Sequence, residues 1–102
     1  MNAYSETLIV PNETGLHLRV AAMAAQAASR FNADVRISKG ELHVNARSVL
    51  GLLTLGAGQG SRLTVTGEGA DACAAVRAIV SLFQSLCGEN QGKLSIVFSN
   101  AE

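Results

Sequence analysis

Apolar and polar residues change period several times along the chain, and each change marks an element. TLIVPN (7–12) is a short β-rich run closed by Pro11 and Asn12, with Leu8 and Val10 on one face and Ile9 on the other. It predicts a strand. ETG makes a turn, and from Leu18 to about Arg30 the spacing becomes helical. Leu18, Ala21, Ala22, Ala25 and Ala28 line one stripe, and six alanines supply helix propensity. DVRISKGELHVNA (34–46) predicts a hairpin: Val35 and Ile37 alternate with polar residues, KGE turns, and Leu42, Val44 and Ala46 alternate again. Ser48 opens VLGLLTL, a helix of one to two turns. GAGQGS is a glycine-rich loop, and RLTVTG (62–67) is a strand with Leu63 and Val65 inward. From Asp71 to Leu86 the residues Ala75, Ala78, Ile79, Leu82, Phe83 and Leu86 follow a helical series, with Asp71 in the first turn and Gly88 at the stop. KLSIVFS (93–99) alternates once more and predicts a last strand. Helices interleaved with strands in this way need a sheet face to cover, so the fold class is α+β with the helices on one side.

Composition narrows the function. The 102 residues suffice for one domain, and 48% hydrophobic against 16% charged residues permits a real core. Formal net charge is zero, which argues against general nucleic-acid binding. No run approaches the ~18 apolar residues of a membrane span. MNAYSETLIVPNETG has neither a basic start nor a long apolar run, so no secretory signal is expected, and the cytoplasm is the expected location. Cys73 and Cys87, both on the last helix, would stand ~21 Å apart at ~1.5 Å per residue, so free thiols are expected. His17, His43, Cys73 and Cys87 lack metal-ligand spacing; neither a metal nor another cofactor is expected.

The chemistry concentrates in ETGLHLRVAA (13–22). His17 stands between a glycine turn and a helix. Alone it reads as a capping or packing residue; with Arg19 two positions on, it also reads as a reactive imidazole where the helix dipole favours an anion. Arg19 alone reads as a solvated charge, Ser48 alone as a helix N-cap. Val49, Leu50 and Leu53 cannot all be buried by so short a helix, so part of them should form an exposed apolar patch. His43 falls opposite the inward residues of its strand. GAGQGS is followed by a strand and lacks GK[ST], which excludes a nucleotide fingerprint.

GLHLR at 15–19 before an alanine-rich helix, together with NARSVLGLLTLGAGQGSRLTVTGEG at 45–69, resembles HPr, the histidine-containing phosphocarrier family of the bacterial phosphotransferase system. The resemblance covers roughly residues 4–86. It implies an open-faced β-sandwich, an antiparallel sheet in the order 1-4-2-3 with three helices on one face. It implies that His17 accepts phosphate at Nδ1 from phosphoenolpyruvate through enzyme I and passes it to an enzyme IIA, with Arg19 contacting the phosphate. It implies that Ser48 is the serine modified by HPr kinase/phosphorylase. Leu18, Val20, Arg47, Val49, Leu50 and Leu53 would form the partner-docking surface. Leu18 and Val20 depart from the small residue and proline of the family motif; Val20 loses proline's preorganisation of the first turn and regains an N–H. Arg19 and Arg47 stand where the family usually has several lysines, so electrostatic steering should be weaker. Two function classes follow: a phosphoryl carrier, which is not an enzyme, or a regulatory binding module acting through Ser48.

Residues 1–88 thus predict an HPr-like domain and 89–102 an extension. By a right-handed crossover, the strand at 93–99 should lie outside the first strand and antiparallel to it, giving 5-1-4-2-3. The alternative is a tail-swapped dimer in place of the monomer.

Overall fold

Four strands with largely apolar inner positions need a covering layer, and three helices supply it. The computed structural model describes residues 3–11 and 15–87. Its elements are β1 (Ala3–Ile9), α1 (Leu18–Ser29), β2 (Asp34–Lys39), β3 (Leu42–Asn45), α2 (Val49–Thr54), β4 (Arg62–Glu68) and α3 (Ala72–Cys87). The sheet runs β1-β4-β2-β3, every pair antiparallel, as the family resemblance implied.

Strand parity sorts the side chains. Leu8, Val35, Ile37, Leu63 and Val65 point inward and are buried, while Ile9 is exposed on the other face. The core joins them to Val20, Ala21, Ala24, Leu52, Val76, Ile79 and Phe83 from the helices. His43 is exposed, as parity predicts. Leu42, expected to alternate inward, remains 45% exposed, because β3 is a four-residue edge strand with little covering it.

Three expectations need correction. β1 starts at Ala3, four residues before the predicted strand, because the pairing with β4 continues to Ala3↔Glu68. Tertiary pairing extends a strand that local pattern does not mark. In α3 the buried series is Ala72, Ala75, Val76, Ile79, Val80 and Phe83, whereas Ala78 and Leu82 are only half-buried. Neighbouring apolar residues leave the phase of that helix open, and its packing against β1, β4 and α1 decides it. Asp71 lies just ahead of Ala72 rather than within the first turn. Its carboxylate accepts the Asn32 N–H at 2.7 Å, and its own N–H donates to the Asn32 carbonyl at 3.2 Å, tying the α1–β2 loop to the start of α3.

The side chain of Leu86, the Gly88 stop and the expected strand at 93–99 lie outside the described residues. So do the 1–88/89–102 division, the 5-1-4-2-3 order and the tail-swapped dimer that turn on them.

The sheet and α3 come close at Gly67. A Cβ there would stand 2.9 Å from Val76 Cγ2 and 3.1 Å from the Ala72 carbonyl oxygen. Gly67→Ala should therefore overpack the interface and destabilise by about 1–3 kcal/mol. The same substitution should cost less in a Val76→Ala background, where the Cγ2 atom is gone. Urea denaturation of the four-member cycle measures this; additive losses would mean that Gly67 and Val76 do not share that space.

Candidate functional site

Residues 15–16, just ahead of α1, are fixed by close backbone contacts and by one buried side chain. Gly15 adopts φ +65°, and any Cβ on it would collide with the Ala57 carbonyl and stand 2.9 Å from Gly58 Cα. The next residue, Leu16, buries its side chain in the core and donates its N–H to the Ala57 carbonyl at 2.9 Å. The glycine-rich segment 56–61 is thus the floor on which residues 15–17 rest. It is itself stitched to the end of the first strand: Gly60 N–H donates to Val10 O at 2.8 Å, Val10 N–H to Ser61 O at 2.9 Å, and Gln59 Nε2 to Pro11 O at 3.2 Å.

His17 follows as the N-cap of α1, with extended backbone (φ −106°, ψ −179°), and its carbonyl accepts Ala21 N–H at 2.9 Å. Its side chain makes no capping hydrogen bond and is exposed, so the bland capping role is not the one it performs. Leu18 and Arg19 are exposed with it, and the first turn contains no acidic residue. The opening N–H groups of a helix lack intrahelical acceptors and, with the dipole, favour an anion. An imidazole and an arginine, both exposed, therefore belong to the same helix start as those donors.

Val20 is different. It is only 2% exposed and belongs to the core, so its side chain cannot meet a partner's surface, and its assignment to the docking surface is corrected. Helical geometry explains this: Val20 shares the inward stripe with Ala21, Ala24 and Ala28, which rotates Leu18, expected on that stripe, out to 62% exposure.

Ser48 caps α2. Its Oγ accepts Gly51 N–H at 2.9 Å and its carbonyl accepts Leu52 N–H at 2.9 Å. Across the short helix Leu52 is wholly buried, Val49 and Leu53 are half-buried against the core, and Leu50 is 75% exposed. Leu50 and Leu18 are among the most exposed large apolar residues, on two helices that pack against each other. Arg47 is exposed, yet its Nη2 donates to the carbonyls of Phe31 and Ala33 at 3.2 and 3.1 Å, so much of its hydrogen-bonding capacity serves its own chain.

A family model described as the PTS HPr component phosphorylation site matches residues 4–85. The chain belongs to the HPr family. It is 42% identical over 80 residues to phosphocarrier protein HPr of Treponema pallidum, covering 78% of this chain and 91% of that one. It is 43% identical over 82 residues to phosphocarrier protein NPr of Shewanella violacea, covering 80% and 90%. Among solved structures, HPr of Bacillus anthracis superposes with a TM-score of 0.74 at 39% identity, over 78% of this chain and 95% of that one. HPr-family proteins are phosphocarriers of the phosphotransferase system and not catalytic enzymes. Among the described residues no helix is long and apolar enough to cross a membrane, and no three His, Cys, Asp or Glu gather as metal ligands.

One residue at the site escapes a motif reading. Lys39 follows Val35 and Ile37 in the inward parity of β2, and its ammonium reaches the carbonyls of Leu55 and Gly56 at 3.2 and 3.0 Å. Parity alone carried that signal.

Gly15→Ala tests the floor. A left-handed backbone angle with a Cβ against a carbonyl should cost about 1–3 kcal/mol, read as a lower urea midpoint. Amide exchange at Leu16 should quicken more than in the α3 core; equal change in both would show that Gly15 does not hold this loop.

Proposed function

We propose that the chain is a cytoplasmic phosphoryl carrier, taking phosphate onto His17 from enzyme I and delivering it to an enzyme IIA or equivalent acceptor. The observation that carries this reading is the exposed, non-capping imidazole at the start of α1, inside the segment that matches the family's phosphorylation-site model.

The chemistry is a pair of displacements. The Nδ1 lone pair attacks phosphorus of the phosphorylated donor. An N–P bond forms as the donor's bond to phosphorus breaks, and the leaving donor atom takes the electron pair. The proton it then picks up is matched by the one the phosphorylated His17 ring can release from Nε2. In this reading the open N–H groups of the first turn, Val20's among them, and the Arg19 guanidinium would receive the phosphoryl oxygens. At the acceptor, the incoming nucleophile attacks phosphorus and the N–P pair returns to His17. Neutral N–H donors and one guanidinium on a solvent-facing rim would hold such a phosphate modestly, which suits a group that must leave again.

Partners must exclude water from this exposed site, and the apolar neighbours support that role. Exposed Leu18 and Leu50 would supply contact area, with the half-buried Val49 and Leu53 and the exposed Arg47 contributing. Enzyme I and the acceptor would use this face in turn.

A second reading, a regulatory module controlled by HPr kinase/phosphorylase, draws support from Ser48. Its Oγ already accepts a helix-opening N–H, so a phosphate of charge roughly −1.5 to −2 there is favoured by the dipole yet stands beside exposed Leu50.

Two experiments check these readings. With phosphoenolpyruvate and enzyme I, mass spectrometry should find one acid-labile, alkali-stable phosphate, because protonation of the leaving nitrogen speeds phosphoramidate hydrolysis. His17→Ala should reduce it to background; undiminished labelling would remove His17 from the mechanism. Ser48→Asp should retain cooperative folding while weakening enzyme I affinity several-fold. Unchanged affinity and transfer rate would leave Ser48 as a cap alone.

A further inference from the structure

The short helix α2 ends against a cation. Its last N–H groups close normally, Leu55 onto Leu52 O and Gly56 onto Leu53 O, both at 3.2 Å. The carbonyls of Leu55 and Gly56 then turn to a single ammonium, Lys39 Nζ, at 3.2 and 3.0 Å. A cation at a helix C-terminus is favoured by the dipole, and two carbonyls fix it in direction. The very next carbonyl, Ala57 O, accepts the Leu16 N–H at 2.9 Å, and Leu16 precedes His17. Three successive carbonyls, 55, 56 and 57, therefore connect an inward lysine of β2 to the backbone that carries the imidazole.

The other side of this loop is held through Val10 and Pro11, so residues 55–61 are clamped from two directions. Without the ammonium, one clamp opens on the side nearer Ala57. We propose that Lys39 is a positioning residue for phosphoryl transfer at His17: it sets the height of the Ala57 carbonyl, and through Leu16 the place of the imidazole. The inference rests on the carrier reading but concerns a residue outside the phosphorylation motif and outside the docking face. Lys39 touches no reacting atom; its effect passes entirely through the 55–57 backbone.

The test compares Lys39→Met, which keeps an unbranched stem without the charge, with Lys39→Arg, which restores a cation. Asp71→Ala is the control for lost stability. It breaks the bond to Asn32 beyond the Ala3↔Glu68 end of the sheet, ~20 Å of strand from the His17 end. With phosphorylated enzyme I as donor, Lys39→Met should lower kcat for His17 labelling roughly 10-fold, with KM changed less than about 2-fold, since misplacement by a fraction of an ångström acts on the transition state. Lys39→Arg should recover most of that rate, and Asp71→Ala should stay within about 2-fold of the unmodified chain. Amide exchange at Leu16, relative to α3 core amides, should quicken in Lys39→Met and recover in Lys39→Arg. Unchanged Leu16 exchange in Lys39→Met overturns the proposal, whatever the transfer rate. So does an unchanged kcat, or an equal loss in Asp71→Ala. A chain that enzyme I cannot label at all would instead overturn the carrier reading, and the Leu16 exchange comparison would still decide the Lys39 contact.

Discussion

The hydrogen bond from Leu16 N–H to the Ala57 carbonyl fixes the loop that holds His17. It requires a bare Cα at Gly15, because the chain passes too close to residues 57 and 58 for a side chain. It rests on the glycine-rich segment, which hydrogen bonds to Val10, Pro11 and Lys39 hold from two sides. Given that floor, Leu16 drops its side chain into the core and His17 emerges next, extended and exposed, where α1 begins. A segment that reads in sequence only as a glycine-rich loop thus supports the backbone just before the imidazole.

The two short-range devices at the face differ in kind. At α1 the capping residue leaves its side chain outside the cap, and the first-turn donors remain open to an anion. At α2 the capping serine spends its oxygen on the helix, which stabilises six residues that could not hold themselves together by propensity. One helix start leaves its cap side chain uncommitted, and the other commits its cap to the helix. A phosphate added to the second would alter the surface around Leu50 without needing to unfold anything.

Much of this was legible in the chain itself. Strand parity placed Leu8, Val35, Ile37, Leu63 and Val65 inward and His43 outward, because a two-residue repeat leaves no freedom of phase. Helix phase was less legible. Alanine-rich α1 and apolar α3 present more than one plausible stripe, so Val20, Val76 and Val80 went inward where Leu18, Ala78 and Leu82 had been expected. Charged residues were least legible of all. Lys39 and Arg47 both donate to backbone carbonyls 14 to 17 residues away in sequence, and no residue pattern encodes a carbonyl as partner.

The central claim is that the loop presents His17 Nδ1 for reversible phosphorylation. Phosphorus-31 NMR of the chain carrying 15N-labelled histidine, phosphorylated through enzyme I, tests it most directly. The account predicts one phosphohistidine resonance coupled to Nδ1 of His17, with His43 unchanged, and its disappearance when an acceptor is added. Phosphate on His43, or on His17 but not transferable, would contradict it.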